Sequence, residues 1–131
     1  MKLTDLFSTT LRTPPADAET ASYQWLARGG YIRSSANGDF VTLPLAERSL
    51  NKLRARLRYE MEARGGQEIG PYAEVESLAA GDIQSYRQLP RVVFAFERIQ
   101  KKTHPRLGLL GAAHSPSLDI HVLAASPDVL K

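Results

Sequence analysis

Between Leu43 and Ile69 the apolar positions Ala46, Leu50, Leu53, Leu57 and Met61 recur at spacings of four, three, four and four. That recurrence marks one face of an α-helix. Pro44 suits its first turn, where the missing N–H leaves no bond unmade. Gly65 and Gly66 supply the left-handed residue at which a helix stops. A helix of about 20 residues rises roughly 30 Å, the width of a small domain. The intervening positions carry Arg48, Lys52, Arg54, Arg56, Arg58 and Arg64 against Glu47, Glu60 and Glu62. The segment reads as a core helix with one solvated basic face.

Upstream, Pro14-Pro15 interrupt any regular element, and the segment from Ala16 reads as a second helix stopped by Gly29-Gly30. Ala21 and Trp25 are its expected buried positions, with Ala18 and Tyr23 competing for the same side. Tyr31–Arg33 and Asp39–Thr42 read as two short strands joined by a turn at Asn37-Gly38, a β-hairpin. Downstream of the long helix, Gln67–Val75 reads as an extended piece broken at Gly70-Pro71, and Glu76–Gln88 as loop and short helix. Residues 91–99 (RVVFAFERI) alternate as a strand, with Val92, Phe94 and Phe96 on one side and Val93, Ala95 and Glu97 on the other. Leu107–Leu110 is a possible second strand, Gly111–Pro116 a turn, and Leu118–Leu123 a third strand. Helix and hairpin, then a long helix, then antiparallel strands predict an α+β domain whose antiparallel sheet has flanking helices.

Composition narrows the chemistry. The chain has 131 residues, 43% hydrophobic and 24% charged, which fits one folded domain and argues against wholesale disorder. With no cysteine, disulfides, thiolate metal sites and cysteine nucleophiles are excluded. The sequence carries no run of about 18 apolar residues and no secretory pattern at its start. A cytoplasmic protein that does not enter the membrane is therefore expected. The formal charge of +3 is modest, but Arg87, Arg91, Arg98, Lys101, Lys102 and Arg106 cluster against Glu97 alone. Such a cluster attracts polyanions, or simply faces water.

Three stretches together resemble bacterial-type prolyl-tRNA synthetase, a class II aminoacyl-tRNA synthetase. Residues 11–33 (LRTPPADAETASYQWLARGGYIR) resemble its N-terminal helix and entry strand. Residues 37–75 hold a stretch, NGDFVTLPLAERSLNKLRARLRYEMEARGGQEI, that resembles motif 1, the helix and strand of that family's dimer interface. Residues 85–110 (SYRQLPRVVFAFERIQKKTHPRLGLL) resemble the motif 2 strand–loop–strand, and 118–130 weakly echo the family's segment beyond motif 2. The resemblance implies a single shortened class II core over residues 1–131.

It also implies what should be missing. In the family an arginine flanked by acids grips the ATP α-phosphate and the amino-acid carboxylate. Anchored on Pro105-Arg106-Leu107-Gly108, the equivalent tract here is Ile99-Gln100-Lys101-Lys102. Lysine lacks the planar five-donor fork of arginine. The family's Thr-His-Glu-Glu tract between motifs 1 and 2 has no counterpart, since only Tyr72–Gln84 joins the two blocks, and Ala113-His114-Ser115 stands where an Arg-Glu-Phe tract is expected. Motif 3 and the anticodon-binding domain would lie past Lys131. Adenylate formation needs cationic forks and Mg²⁺ ligands preorganised around the phosphates, so no catalytic residue is assigned and no cofactor is expected, ATP being the one conceivable ligand.

The remaining chemistry is thin. His104, His114 and His121 lack the i, i+4 spacing of a helical zinc site, so no metal is assigned. Asp119 and His121 would share a strand face, as a hydrogen-bonded or acid/base pair. No phosphate-loop or GxSxG pattern occurs. Candidate anion- or nucleotide-binding residues are Arg98, Lys101, Lys102 and Arg106. Candidate dimer-interface residues are Leu50, Leu53, Leu57 and Met61. Three readings remain: a catalytically degenerate synthetase-like subunit, a two-fold homodimer that binds a synthetase, tRNA or another assembly; a small ATP/amino-acid ligase or aminoacyl-transfer enzyme using Lys101, Lys102 and Arg106; and a tRNA- or RNA-binding module.

Overall fold

A computed structural model of the chain describes residues 2–37, 39–102, 104–126 and 128. Its elements run α1 (Ala21–Arg28), β1 (Ile32–Ser34), β2 (Phe40–Thr42), α2 (Pro44–Ala63), β3 (Gly66–Glu68), α3 (Val75–Asp82), β4 (Arg91–Gln100) and β5 (His114–Leu123). Short 3-10 segments lie at Leu3–Asp5, Tyr86–Gln88 and Pro105–Gly111. The fold is α+β. Two compact units are present: Met1–Arg54 with Ile99–Ser115, and Ala55–Arg98 with Pro116–Lys131.

In the first unit β1 and β2 form the expected antiparallel hairpin, with Arg33 opposite Val41. Of its turn pair Asn37-Gly38, Gly38 lies outside the described residues. The core gathers Ala18, Tyr23, Ala27, Ile32, Phe40 and Ala112. Tyr23 meets Phe40 edge to face at 5.0 Å, a favoured aromatic geometry.

Helix α1 starts later than its sequence suggests. Thr20 caps it, its hydroxyl accepting from the Tyr23 N–H at 3.3 Å. Its buried side chains are Tyr23 and Ala27, a spacing of one helical turn. Trp25, expected inside, is 66% exposed. Two residues from Tyr23 on a helix, it points away from the core and stacks under the Arg28 guanidinium at 4.9 Å.

The second correction concerns Leu107–Leu110, which is no strand. Residues 105–111 form a 3-10 segment kinked at Gly108, whose φ is 63°. A Cβ at Gly108 would stand 2.6 Å from the Tyr23 Cβ, and one at Gly111 would stand 2.0 Å from the His104 carbonyl oxygen. Both positions need a residue without a side chain, and Gly108 also needs its positive φ. Strand β5 then begins at His114, inside the stretch read as a turn.

In the second unit the sheet order is β3-β4-β5. Here β3 runs parallel to β4, Gly66 opposite Val92 and Glu68 opposite Phe94, so the sheet is not wholly antiparallel as expected. The physical reason is the connection. A parallel pair needs a crossover rather than a tight hairpin, and residues 69–90 provide one that holds α3. Phe94 and Ala95, neighbours in β4, are both buried, so both sheet faces are covered there.

Helix α2 keeps the predicted bounds but not the predicted burial. Ala46 is its one buried residue among those described. Leu50, Leu57 and Met61 are half-buried, and Leu53 is 56% exposed.

Candidate functional site

The basic tract of motif 2-like character is divided between the two units. Arg98, near the end of β4, belongs to the second; Lys101, Lys102 and Arg106 belong to the first. The Arg98 carbonyl accepts from the Tyr72 hydroxyl at 3.1 Å, and the Glu97 carboxylate accepts from the Tyr72 N–H at 2.6 Å. Tyr72 sits at φ 60°, a strained conformation for a residue with a side chain. These two bonds hold it there, and they turn the tract's one acid toward backbone rather than toward a ligand.

Lys101 and Lys102 are exposed, and neither ammonium has a hydrogen-bond or ion-pair partner among the described residues. The loop they enter is closed at its neck by backbone bonds, Lys101 N–H to the Ala113 carbonyl at 2.7 Å and His104 N–H to the Gly111 carbonyl at 2.8 Å. Arg106 is engaged: its guanidinium donates to Glu19 at 2.9 Å, with both side chains more than half exposed. An exposed pair of this kind is worth about 0.2–1 kcal/mol. A ligand phosphate could compete for Arg106, but would first displace Glu19.

Sequence reading missed one charged contact of this unit. The His114 imidazole meets the Asp39 carboxylate, Nδ1 to Oδ2, at 2.8 Å. The other oxygen of Asp39 accepts from the Phe40 N–H at 2.9 Å. The His114 hydrogen bond, then the Phe40 N–H, hold the Asp39 carboxyl below the usual carboxylate range. No local signal announces the pair, because its members lie 75 positions apart.

Asp119 and His121 lie on alternate positions of β5, as their spacing predicts. The Ser117 hydroxyl donates to Asp119 Oδ1 at 2.7 Å. Among the described residues no group of three or more His, Cys, Asp or Glu is placed to hold a metal ion.

Among the described residues Arg56, Arg58 and Arg64 pair with acids, whereas Arg48, Lys52 and Arg54 of α2 have no acidic partner. Glu60 receives Arg56 at 2.5 Å and Arg64 at 2.6 Å, the Arg64 hydrogen bond being the larger cause of its lowered pKa. Glu68 takes Arg58 bidentately, at 2.5 and 2.9 Å, which lowers the carboxyl pKa and raises that of the guanidinium. The same guanidinium lies 5.2 Å from the Phe96 ring centre. Beside Arg48, Lys52 and Arg54, α2 presents an apolar stripe: the exposed Leu53 and half-buried Leu50, Leu57 and Met61.

The second unit also holds a cleft of about 380 Å³, lined by Ile69, Val75, Leu78 and Leu123 with Asp82 and Arg91. Arg91 Nε donates to the Gln88 carbonyl at 2.7 Å.

No protein-family model matches the chain. Among curated proteins, the "Proline--tRNA ligase" of Thermotoga sp. is 33% identical over 152 residues, covering 86% of this chain and 26% of the relative. That of Desulfitobacterium hafniense is 31% identical, covering 84% of this chain and 26% of the relative. This chain is prolyl-tRNA ligase-like. It spans about a quarter of the length of these curated relatives. A shorter block is more alike: the ligase of Pelotomaculum thermopropionicum is 48% identical over 69 residues, 53% of this chain. The alignment to the Thermotoga ligase is longer than the whole 131-residue chain while taking in only 86% of it. The relative thus carries positions in the matched region that this ligase-like chain lacks. Among the described residues no helix is long and apolar enough to cross a membrane.

Proposed function

We propose that this ligase-like chain is catalytically degenerate and works by binding, as a regulatory or structural subunit that pairs as a two-fold homodimer through α2. The observation that carries the reading is the state of the tract Ile99-Gln100-Lys101-Lys102. In the family resembled, this is where a fork-shaped cation and its flanking acids hold ATP. Here two exposed lysines stand, among the described residues, without a carboxylate to orient them. A phosphate clamp accelerates adenylate formation only when its donors are fixed before the charge develops. Two flexible ammonium groups supply charge without that geometry. That the relative carries positions in the matched region which this chain lacks supports the loss of a segment from the family's core.

The homodimer is supported by α2, whose apolar stripe is exposed at Leu53 and only half-buried at Leu50, Leu57 and Met61. A two-fold contact sets the same patch against itself, so a stripe exposed in one copy is covered in both.

The deciding measurement is ATP–pyrophosphate exchange with each amino acid, proline first, at high protein concentration. No exchange above the protein-free control is expected; exchange with any amino acid overturns the degenerate reading and favours a small ligase built on Lys101, Lys102 and Arg106. Light scattering at micromolar concentration is expected to give at least twice the chain mass, and a monomeric mass removes the dimer. The exposed Lys101 and Lys102 support a second reading, tRNA binding through phosphate contacts. It requires affinity that falls as salt rises.

A further inference from the structure

Strand β5 closes one side of the order β3-β4-β5, so its outer edge has no strand neighbour among the described residues. Exposed edges invite pairing, and among the devices that blunt them in folded proteins are edge lysine and arginine. From His114 to Leu123 there is neither. Pro116 is compatible with an edge strand.

The strand is also inverted. Along 116–123 the apolar residues Pro116, Leu118, Ile120 and Val122 share one row, with Ile120 49% and Val122 46% exposed. The other row, Ser117, Asp119, His121 and Leu123, is half-buried. Centred on Ile120, the sequence reads apolar, acid, apolar, base, apolar: Leu118, Asp119, Ile120, His121, Val122. That order is self-complementary under reversal. An antiparallel copy paired about Ile120 sets Asp119 opposite His121 twice, Leu118 opposite Val122 twice, and Ile120 opposite itself.

Directly opposed residues in an antiparallel pair have Cβ atoms about 4.5–5.5 Å apart, close enough for a carboxylate to meet an imidazole. The groups are available: Ser117 occupies Asp119 Oδ1, while His121 has no hydrogen-bond or ion-pair partner among the described residues. Neighbouring registers are worse. Centring on Asp119 opposes two carboxylates, centring on His121 opposes two imidazoles, and parallel in-register pairing stacks like on like.

We propose that β5 is a self-docking edge. A second copy of this chain adds its own β5 antiparallel about Ile120, joining two three-stranded sheets into one. The residues are distinct from the stripe of α2, so this surface and the α2 dimer stand or fall separately. A chain with both would form tetramers or longer assemblies.

The test uses the full chain carrying Leu53→Glu, which removes the α2 stripe from contention, followed by sedimentation from low to high micromolar concentration. Association is expected to persist, to weaken about tenfold or more with Asp119→Lys, and to recover with Asp119→His combined with His121→Asp. That exchange restores the opposed pair in this register alone. Ile120→Lys, at an exposed position, is expected to leave a monomer whose urea midpoint, compared at the lowest workable concentration, is unchanged, and serves if Asp119→Lys does not fold. A Leu53→Glu chain that is monomeric throughout overturns the proposal. So does association indifferent to Asp119→Lys and Ile120→Lys, or failure of the exchanged pair to restore it. If Leu53→Glu leaves the wild-type assembly intact and Ile120→Lys alone dissolves it, the α2 dimer has failed and the β5 contact stands.

Discussion

Helix α1 has eight residues and buries two, Tyr23 and Ala27; helix α2 has twenty and buries one, Ala46. The short helix is fixed by its surroundings. Thr20 caps it, Phe40 meets Tyr23, and Gly108 lies directly on the Tyr23 side chain. The long helix has the stronger sequence signature and the weaker tertiary cover within its own chain. Periodicity reports which side chains would profit from burial, not what covers them. In α1 the cover is the chain itself. In α2 the chain covers less of the apolar stripe, which is why that helix carries the proposed interface.

If the contrast between the helices holds, the largest cost falls on the short one. Tyr23→Ala removes a ring that is 1% exposed, and large aromatic truncations in cores cost about 3–5 kcal/mol. Urea unfolding should show that loss with an unchanged slope. A cost near that of a surface substitution would mean the first unit is not organised around Tyr23. The contrasting measurement is Leu53→Ala, made at the lowest workable concentration so that association does not add to stability. At 56% exposure it should cost less than about 1 kcal/mol. A core-sized loss would place the stripe inside the monomer and leave the dimer without its surface.

The same contrast explains what the sequence disclosed. Bounds set by local chemistry were legible: Pro44 opens α2, Gly65 at φ 80° follows its end, and the alternation of 91–99 gives β4. Errors arose where a distant residue decides. Leu107–Leu110 looks like a strand until Gly108 is seen to fit only against Tyr23, far earlier in the chain. The parallel pairing of β3 was hidden because a three-residue strand has little pattern of its own. Of the candidate site, the cations were readable as a cluster, but the engagement of Arg106 by Glu19 was not, since 87 positions separate them. The division of Arg98 from Lys101, Lys102 and Arg106 between two units is likewise a property of packing.

Trp25 gives the next smaller effect. It is 66% exposed and stacked on Arg28, and an exposed cation–π contact is worth about 0.5–1 kcal/mol. Trp25→Ala should therefore cost no more than that by urea unfolding, although tryptophan is a larger side chain than the tyrosine at position 23. Equality with Tyr23→Ala would show that the exposed face of α1 is in fact covered.

The smallest effect is a slope rather than a loss. The His114 hydrogen bond and the Phe40 N–H hold the Asp39 carboxyl below its ordinary range. A carboxyl that releases its proton more readily when folded contributes stability above its unfolded pKa of about 3.9. That contribution is lost as pH falls through the lower, folded value. Glu60 and Glu68 behave in the same direction for their own arginines, so acid destabilises the wild type for several reasons at once. The difference between wild type and Asp39→Asn cancels what they share. It should be constant above the ordinary carboxylate range and shrink as pH falls below it, read as the gap between two unfolding free energies. A gap that stays flat to low pH would mean that Asp39 is not held by His114 in the folded chain. The tie between the hairpin and the start of β5 would then have to rest on backbone contacts alone.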